Sequence, residues 1–280
     1  MKNVWKELFP YPPQTAAQRL LWEIAFLLII TVAIGFLGRP AAEDVLYTKI
    51  LTAVFLLNLA LRFALVNQKG DWLFYLLGVV AGGGNDLMSM IKGVYSYTSI
   101  DFIPFLTDLL PLWMILFWGQ VFLLFRKVFN LSWFRGKAFT RDGRFLHGWL
   151  DGRLIIDLLI LVALRLIIYN TYALEPWIAA AFYATIIGIR FAVFPLQKNE
   201  LALIAILPYA FMFEGLLITF GLYVYIHPIF LGMPLWLFLW WIFLVPTILK
   251  AVFDRLEYVL SAGHRMSGGD TAPAERQLPG

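Results

Sequence analysis

The sequence predicts an all-α, polytopic transmembrane bundle of about eight spans, built as a tandem parallel repeat of two four-helix units. Three observations carry that expectation. The chain is 61% hydrophobic and only 14% charged, with a mean hydropathy of +0.77, which excludes a soluble globular domain. Apolar runs long enough to cross a hydrocarbon core of about 30 Å, which takes about 20 helical residues, can be placed eight times. A stretch with an ionisable acid in an apolar setting occurs twice, as DLMSMIKGVYSY from Asp86 to Tyr97 and as EGLLITFGLYVY from Glu214 to Tyr225.

In both copies the acid is followed seven residues later by glycine, Gly93 or Gly221, and then by a tyrosine pair, Tyr95 and Tyr97 or Tyr223 and Tyr225. Upstream, RFALV begins at Arg62 and RFAVF at Arg190, the same 128-residue offset that separates Asp86 from Glu214. Downstream, PLWMILFW from Pro111 answers PLWLFLWW from Pro234 at an offset of 123, so the first copy has a connection five residues longer. Leu and Val coincidences between apolar segments carry little weight. Arginine, acid, glycine and two tyrosines at fixed spacing carry more, and they read as an internal duplication.

Taken in order, residues 1–19 form an arm with no short apolar run ending in a small-residue cleavage site, so no removable signal peptide is expected. Its Trp5, Phe9 and Tyr11 suit a membrane interface, and Pro10, Pro12 and Pro13 break any long helix. The first four-helix unit, 20–127, holds the runs Leu20 to Leu37, Val45 to Val66, Trp72 to Gly93 and Ile103 to Phe125. A linker, 128–152, is basic with interleaved Phe and Trp and suits anionic headgroups, with Trp133 and Phe134 as interfacial anchors. The second unit, 153–259, holds Leu154 to Tyr172, Pro176 to Phe194, Leu201 to Tyr223 and Ile229 to Phe253. Asp157 and Arg165 interrupt the first of these, but the repeat requires a span there. Residues 260–280 are rich in Gly, Ala, Pro and Ser and read as a disordered tail.

Charge placement gives the orientation. With both termini on one side, eighteen of the 22 Lys and Arg fall on that side, leaving Arg39, Lys49, Lys92 and Arg165 elsewhere. Cytoplasmic loops are enriched in Lys and Arg, so both termini are expected in the cytoplasm and the protein in the cell (inner) membrane. An even number of spans per unit makes the halves parallel, related by an axis along the membrane normal. The absence of cysteine excludes disulfides, thiolate catalysis and Cys-ligated metals. His147, His227 and His264 are too scattered to form a clustered metal-ligand set, so no metal is expected. The expected partners are the lipid bilayer and a lipophilic small molecule, with no nucleic acid; nothing in the sequence sets the oligomeric state.

Asp86 and Glu214 fall about two thirds of the way from the inner to the outer face. An ionised carboxylate there costs at least about 2.5 to 3.5 kcal/mol, so such residues face a cavity or a partner and are functional by default. If the helix continues, Gly93 lies beneath Asp86, Tyr97 returns to the same face and Tyr95 points away. Asp86, Glu214, Tyr97 and Tyr225 are thus candidate catalytic residues. Gly93 and Gly221 would leave room for something bulky. Together with Tyr95, Tyr223 and the tryptophans after each proline (Trp113, Trp118, Trp236, Trp241), they are candidate substrate-binding residues lining an apolar slot.

A competing structural reading pairs the two acids with Arg62 and Arg190, assigns the phenols to an aromatic belt and leaves the tryptophans to helix packing. Glu23 with Arg19 reads as an i, i+4 surface pair. Asp157, Arg165 and Gln120 are further buried polar groups without a counterpart in the other unit. Lys92 aligns with Phe220, off the face of Asp86, and is expected to snorkel outward.

The second-half pattern E-G-x4-F-G-x-Y-x-Y followed by G-x-P-L-W (Glu214, Gly215, Phe220, Gly221, Tyr223, Tyr225, Gly232, Pro234, Trp236) resembles the motif of membrane carotenoid hydratases of the bacterioruberin pathway. About 30 residues carry the resemblance; the first half departs from it, with Asp for Glu and a longer loop. It implies water addition to a terminal carbon–carbon double bond of an isoprenoid chain, with no metal or redox cofactor. Protonation by Glu214 or Asp86 would give a tertiary cation stabilised by aromatic faces, and water held by the other acid or a tyrosine would add. Two other classes compete: a transporter or flippase whose pseudo-symmetric halves enclose a pathway, and a non-catalytic lipid- or pigment-binding membrane subunit.

Overall fold

A computed structural model describes residues 11–98 except 14, 109–134 and 150–267, with side chains described through Ser261. Trp5, Phe9 and Pro10 of the arm, the beginning of the run from Ile103, most of the basic linker and residues 268–280 lie outside the described residues; residues 260–267, expected to open a disordered tail, instead continue the last helix.

Among the described residues, eight helices are long and apolar enough to cross a membrane. In chain order they are α1 (Ala16–Ala41), α2 (Val45–Val66), α3 (Asp71–Ile91), α4 (Leu112–Phe129), α5 (Gly152–Thr171), α6 (Pro176–Val193), α7 (Lys198–Thr219) and α8, which begins at Leu235. Local chemistry sets their ends. Thr15 and Gln18 form a capping box for α1, and Asp44 and Asp151 cap α2 and α5 through the amides of Leu46 and Leu154 at 2.8 Å. Pro176 occupies the first turn of α6, where its missing N–H costs nothing. Pro111 and Pro234 stand just before α4 and α8 rather than inside them. The protein is an all-α polytopic membrane protein. Phe36, Leu57, Leu159 and Ile189 remain more than half exposed on the bundle surface because lipid, not water, is their solvent.

Three helices are irregular. α3 widens into a π-helical turn over Gly78–Gly83, α7 is interrupted at Ala205 and Ile206 with Pro208 just beyond, and α8 carries a π-helical turn over Val245–Leu249 containing Pro246. Gly78 and Gly82 serve close packing. A Cβ at Gly82 would lie 2.5 Å from the Trp118 ring, and one at Gly78 would lie 2.5 Å from the Trp118 carbonyl.

The direction of each helix follows from its charged residues, which gather at one end of the bundle. In the first half, Asp71 is fully buried and accepts from Arg62 at 2.6 Å, Arg126 at 2.5 Å and Lys127 at 2.8 Å. Arg62 also pairs with Glu23, and Arg126 reaches Glu257 of α8 at 2.6 Å. In the second half, Arg190 meets Asp157 at 2.6 and 2.8 Å, Arg153 meets Glu200 at 2.6 Å, and Arg255 meets Asp151 at 2.9 Å. The starts of α1, α3, α5 and α7 thus meet the ends of α2, α4, α6 and α8 there, so consecutive spans alternate in direction.

One expectation about charge is corrected. Glu23 is buried and pairs with Arg62, 39 residues away, not with Arg19 on the surface. Asp157 falls opposite Ile29 at the 128-residue offset, yet it holds Arg190 as Glu23 holds Arg62, so the matched arginines are bound by acids at unmatched positions. Arg165 lies with its guanidinium 3.8 Å from the Trp240 ring centroid, and Lys92 is exposed as expected.

Candidate active site

At the opposite end the helices do not continue through the tyrosines, as the helical-face argument assumed. α3 stops at Ile91 and Gly93 takes φ +75°; after α7, Gly221 takes the same φ of +75°. In each case the residue after the glycine donates its amide five residues back, Val94 to Ser89 at 2.9 Å and Leu222 to Leu217 at 3.3 Å, closing a Schellman-type cap. The chain then runs extended as β1 (Tyr95–Tyr97) and β2 (Tyr223–Tyr225). The two strands pair antiparallel with each other: Tyr95 opposite Tyr225, Ser96 opposite Val224, Tyr97 opposite Tyr223. A helix would have sent Tyr95 and Tyr223 away from the acids. Period-two alternation instead puts all four phenols on one face and leaves Ser96 and Val224 exposed.

Those four rings make one packed group. Tyr95 and Tyr225 have centroids 4.9 Å apart, and Tyr97 and Tyr223 have theirs 5.2 Å apart. Each strand returns its second tyrosine to the acid of its own half. Tyr97 donates to Asp86 Oδ2 at 2.8 Å, and Tyr225 donates to Glu214 Oε1 at 2.9 Å. A tryptophan completes each set: Trp118 Nε1 donates to Asp86 Oδ2 at 2.6 Å, and Trp241 Nε1 donates to Glu214 Oε2 at 3.0 Å. The two indoles lie nearly parallel, 6.2 Å between centroids at 21°. Two acid–tyrosine–tryptophan sets, built from positions 128 and 123 residues apart, therefore stand side by side.

Both sets face one cavity of about 460 Å³. Asp86, Glu214, the four tyrosines, Trp118 and Trp241 form its polar end. The remainder is apolar, from Phe117 and Phe213, whose rings stack 5.6 Å apart, past Val121 and Leu124 to Val128, Leu131 and Phe134. From Trp118 to Val128 it follows α4 for ten residues, about 15 Å at 1.5 Å per residue. Leu20, Ile24 and Leu27 of α1 and the exposed Tyr209 of α7 flank it. Such a space suits an elongated apolar molecule whose end meets hydrogen-bonding groups.

The other candidate site residues named from sequence fall outside that lining. Trp113 and Trp236 stand behind it as edge-on supports of Tyr97 and Tyr225, at 6.3 and 6.1 Å between centroids. Gly93 and Gly221 turn the chain rather than make room in the cavity. Arg62 and Arg190 are engaged at the charged end and do not pair with Asp86 or Glu214. Phe134, expected at the membrane interface, is buried and lines the cavity, while Trp133 beside it is 82% exposed. Phe117 and Phe213 were missed; each lies next to a singled-out residue, Trp118 or Glu214, which is the signal that would have found them.

No family model, no curated protein and no solved structure matches the chain.

Proposed function

We propose that the protein binds a linear isoprenoid or carotenoid-like molecule in the apolar cavity and adds water across a double bond at its end. The single observation that carries this reading is the presence of two carboxyl groups, each oriented by a phenol and an indole, at the polar end of one apolar cavity. The carotenoid-hydratase resemblance around Glu214 supports the same chemistry.

In this mechanism one acid, protonated, transfers its proton to the less substituted alkene carbon. The π pair forms the new C–H bond and leaves a tertiary cation, which the faces of Tyr95, Tyr223, Trp118 and Trp241 stabilise. Water held by the second carboxylate attacks the cation and gives up a proton to it. The net change is addition of H and OH. The acids have exchanged protonation states, and proton return through the intervening phenols resets them. Tandem four-helix units place the two acids in matched surroundings, and the termini are assigned to the cytoplasmic side by the charge bias.

The test is turnover by the protein in nanodiscs with a linear isoprenoid bearing a terminal trisubstituted alkene, read as product heavier by one water. Asp86→Asn and Glu214→Gln should each reduce turnover by about 100-fold or more, the usual worth of a proton-transfer residue, with membrane insertion unchanged. Full activity in the double variant would remove the acid mechanism. A second reading, transport of a lipid, draws on one observation: the helices that carry the two acids are irregular upstream of them, α3 at Gly78–Gly83 and α7 at Ala205 and Ile206. Proton-coupled uptake into vesicles without chemical conversion would favour it.

A further inference from the structure

Six side chains of the first half each carry a buried polar atom with no hydrogen-bond partner in the protein: Thr52 Oγ1, Asn58 Nδ2, Arg62 Nη1, Tyr75 OH, Trp113 Nε1 and Gln120, through both Oε1 and Nε2. Each residue is at least nine-tenths buried. Buried polar atoms are satisfied almost without exception, by protein or by ordered water. Six in one region mark a wet seam rather than a run of accidents. Among the described residues, one other side chain, Arg165, carries such an atom.

The six come from α2, α3 and α4, which pack together. Tyr75 lies so close to α4 that a Cβ at Gly119 would fall 2.3 Å from its ring, and Phe55 of α2 contacts Trp113 at 6.3 Å between centroids. Counted along their helices at 1.5 Å per residue, the atoms climb from the charged end in short steps. Arg62 and Tyr75 stand about 6 Å in, Asn58 and Gln120 about 12 to 14 Å, and Thr52 and Trp113 about 21 to 24 Å. Asp86 lies at about 22 Å on α3, and the ring of Trp113 contacts Tyr97, the phenol bonded to Asp86.

At the matched positions of the second half, 128 or 123 residues on, Thr52 becomes Ala180, Asn58 becomes Ile186, Tyr75 becomes Leu203 and Gln120 becomes Phe243. Arg62 and Trp113 remain as Arg190 and Trp236, and neither carries an unpartnered buried atom there. The polar seam is confined to one half.

We infer that these side chains hold an internal file of water molecules running from the charged end to the Asp86 side of the cavity. Apart from Tyr209 at its flank, the long part of the cavity is lined by apolar side chains, so it offers no continuous series of polar groups to hold water. The file supplies that missing route and makes the Asp86 side the wet side. Its use as a water and proton supply rests on the hydration reading; its existence does not.

Radiolytic hydroxyl-radical labelling of the full-length protein in nanodiscs tests the inference directly, because bound water generates the radical beside the residue it touches. Tyr75 should be modified at least an order of magnitude faster than Tyr183, which is also buried but donates its hydroxyl to the Leu164 carbonyl at 2.8 Å. Exposed Tyr209 sets the upper limit. Equal protection of Tyr75 and Tyr183 overturns the file. Labelling of Tyr75 with no turnover in any variant would keep the file and sink the hydration reading. Where turnover is found, Gln120→Leu should lower kcat with KM unchanged; an unchanged kcat overturns the supply role.

Discussion

Asp71 and Asn199 occupy matched positions at the first turns of α3 and α7, and the charged ends around them are built differently. Around Asp71, three cations converge on one fully buried carboxylate. Around Asn199 that central acceptor is gone. Lys250, which matches Lys127, turns to Asp254 on its own helix, and a polar cavity of about 140 Å³ opens among Arg153, Glu200, Lys250 and Arg255. Nearer the two buried acids the two halves agree again, with the same glycine cap, strand, phenol and indole. The acid sets are held alike while their foundations differ. The foundation of the first half closes around one shared carboxylate, and that of the second lies open at its end.

The largest test of that contrast is Asp71→Asn. It removes the negative charge that Arg62, Arg126 and Lys127 share and leaves a single amide oxygen to accept, so a loss of about 3 to 5 kcal/mol is expected, read as a lowered Tm in detergent. The reverse exchange, Asn199→Asp, faces an open cavity and should move Tm much less. Trp118→Phe and Trp241→Phe each remove an N–H donor while keeping a ring, at a cost of about 1 to 3 kcal/mol. The shorter bond of Trp118, 2.6 against 3.0 Å, predicts the larger fall in turnover for that variant. The smallest pair is Gly93→Ala and Gly221→Ala. Both force a Cβ into left-handed backbone, costing about 1 to 2 kcal/mol. Gly93→Ala should cost slightly more because its Cβ meets the Tyr172 hydroxyl at 3.1 Å, whereas nothing lies within 4 Å at Gly221.

The spans were legible because apolar length alone decides which helices cross a bilayer, and all eight runs overlap observed helices. The link from Asp86 to Tyr97 and from Glu214 to Tyr225 was legible from spacing, though for the wrong reason. The spacing was read as three helical turns, when Gly93 and Gly221 end the helix and the alternation in Tyr-Ser-Tyr and Tyr-Val-Tyr marks a strand. The tryptophans were legible as candidates but not as donors, since nothing local ties Trp118 to an acid 32 residues earlier. Glu23 was misread because Arg19 offered a partner one turn away, and only the packing of α1 against α2 brings Arg62 closer. Long-range ion pairs carry no local signature.

The two-stranded ladder has a consequence of its own. Non-helical backbone within a membrane protein is tolerated only when its amides and carbonyls find partners, and here each Tyr-x-Tyr segment finds the other. Neither segment could close its hydrogen bonds alone. A polypeptide of half this length, with one acid, one such segment and one indole, would have to meet its twin strand against antiparallel strand across a two-fold axis, the self-complementary contact of a symmetric dimer. Separately expressed halves of this chain should therefore be poor folders apart and recover a native fold only when made together.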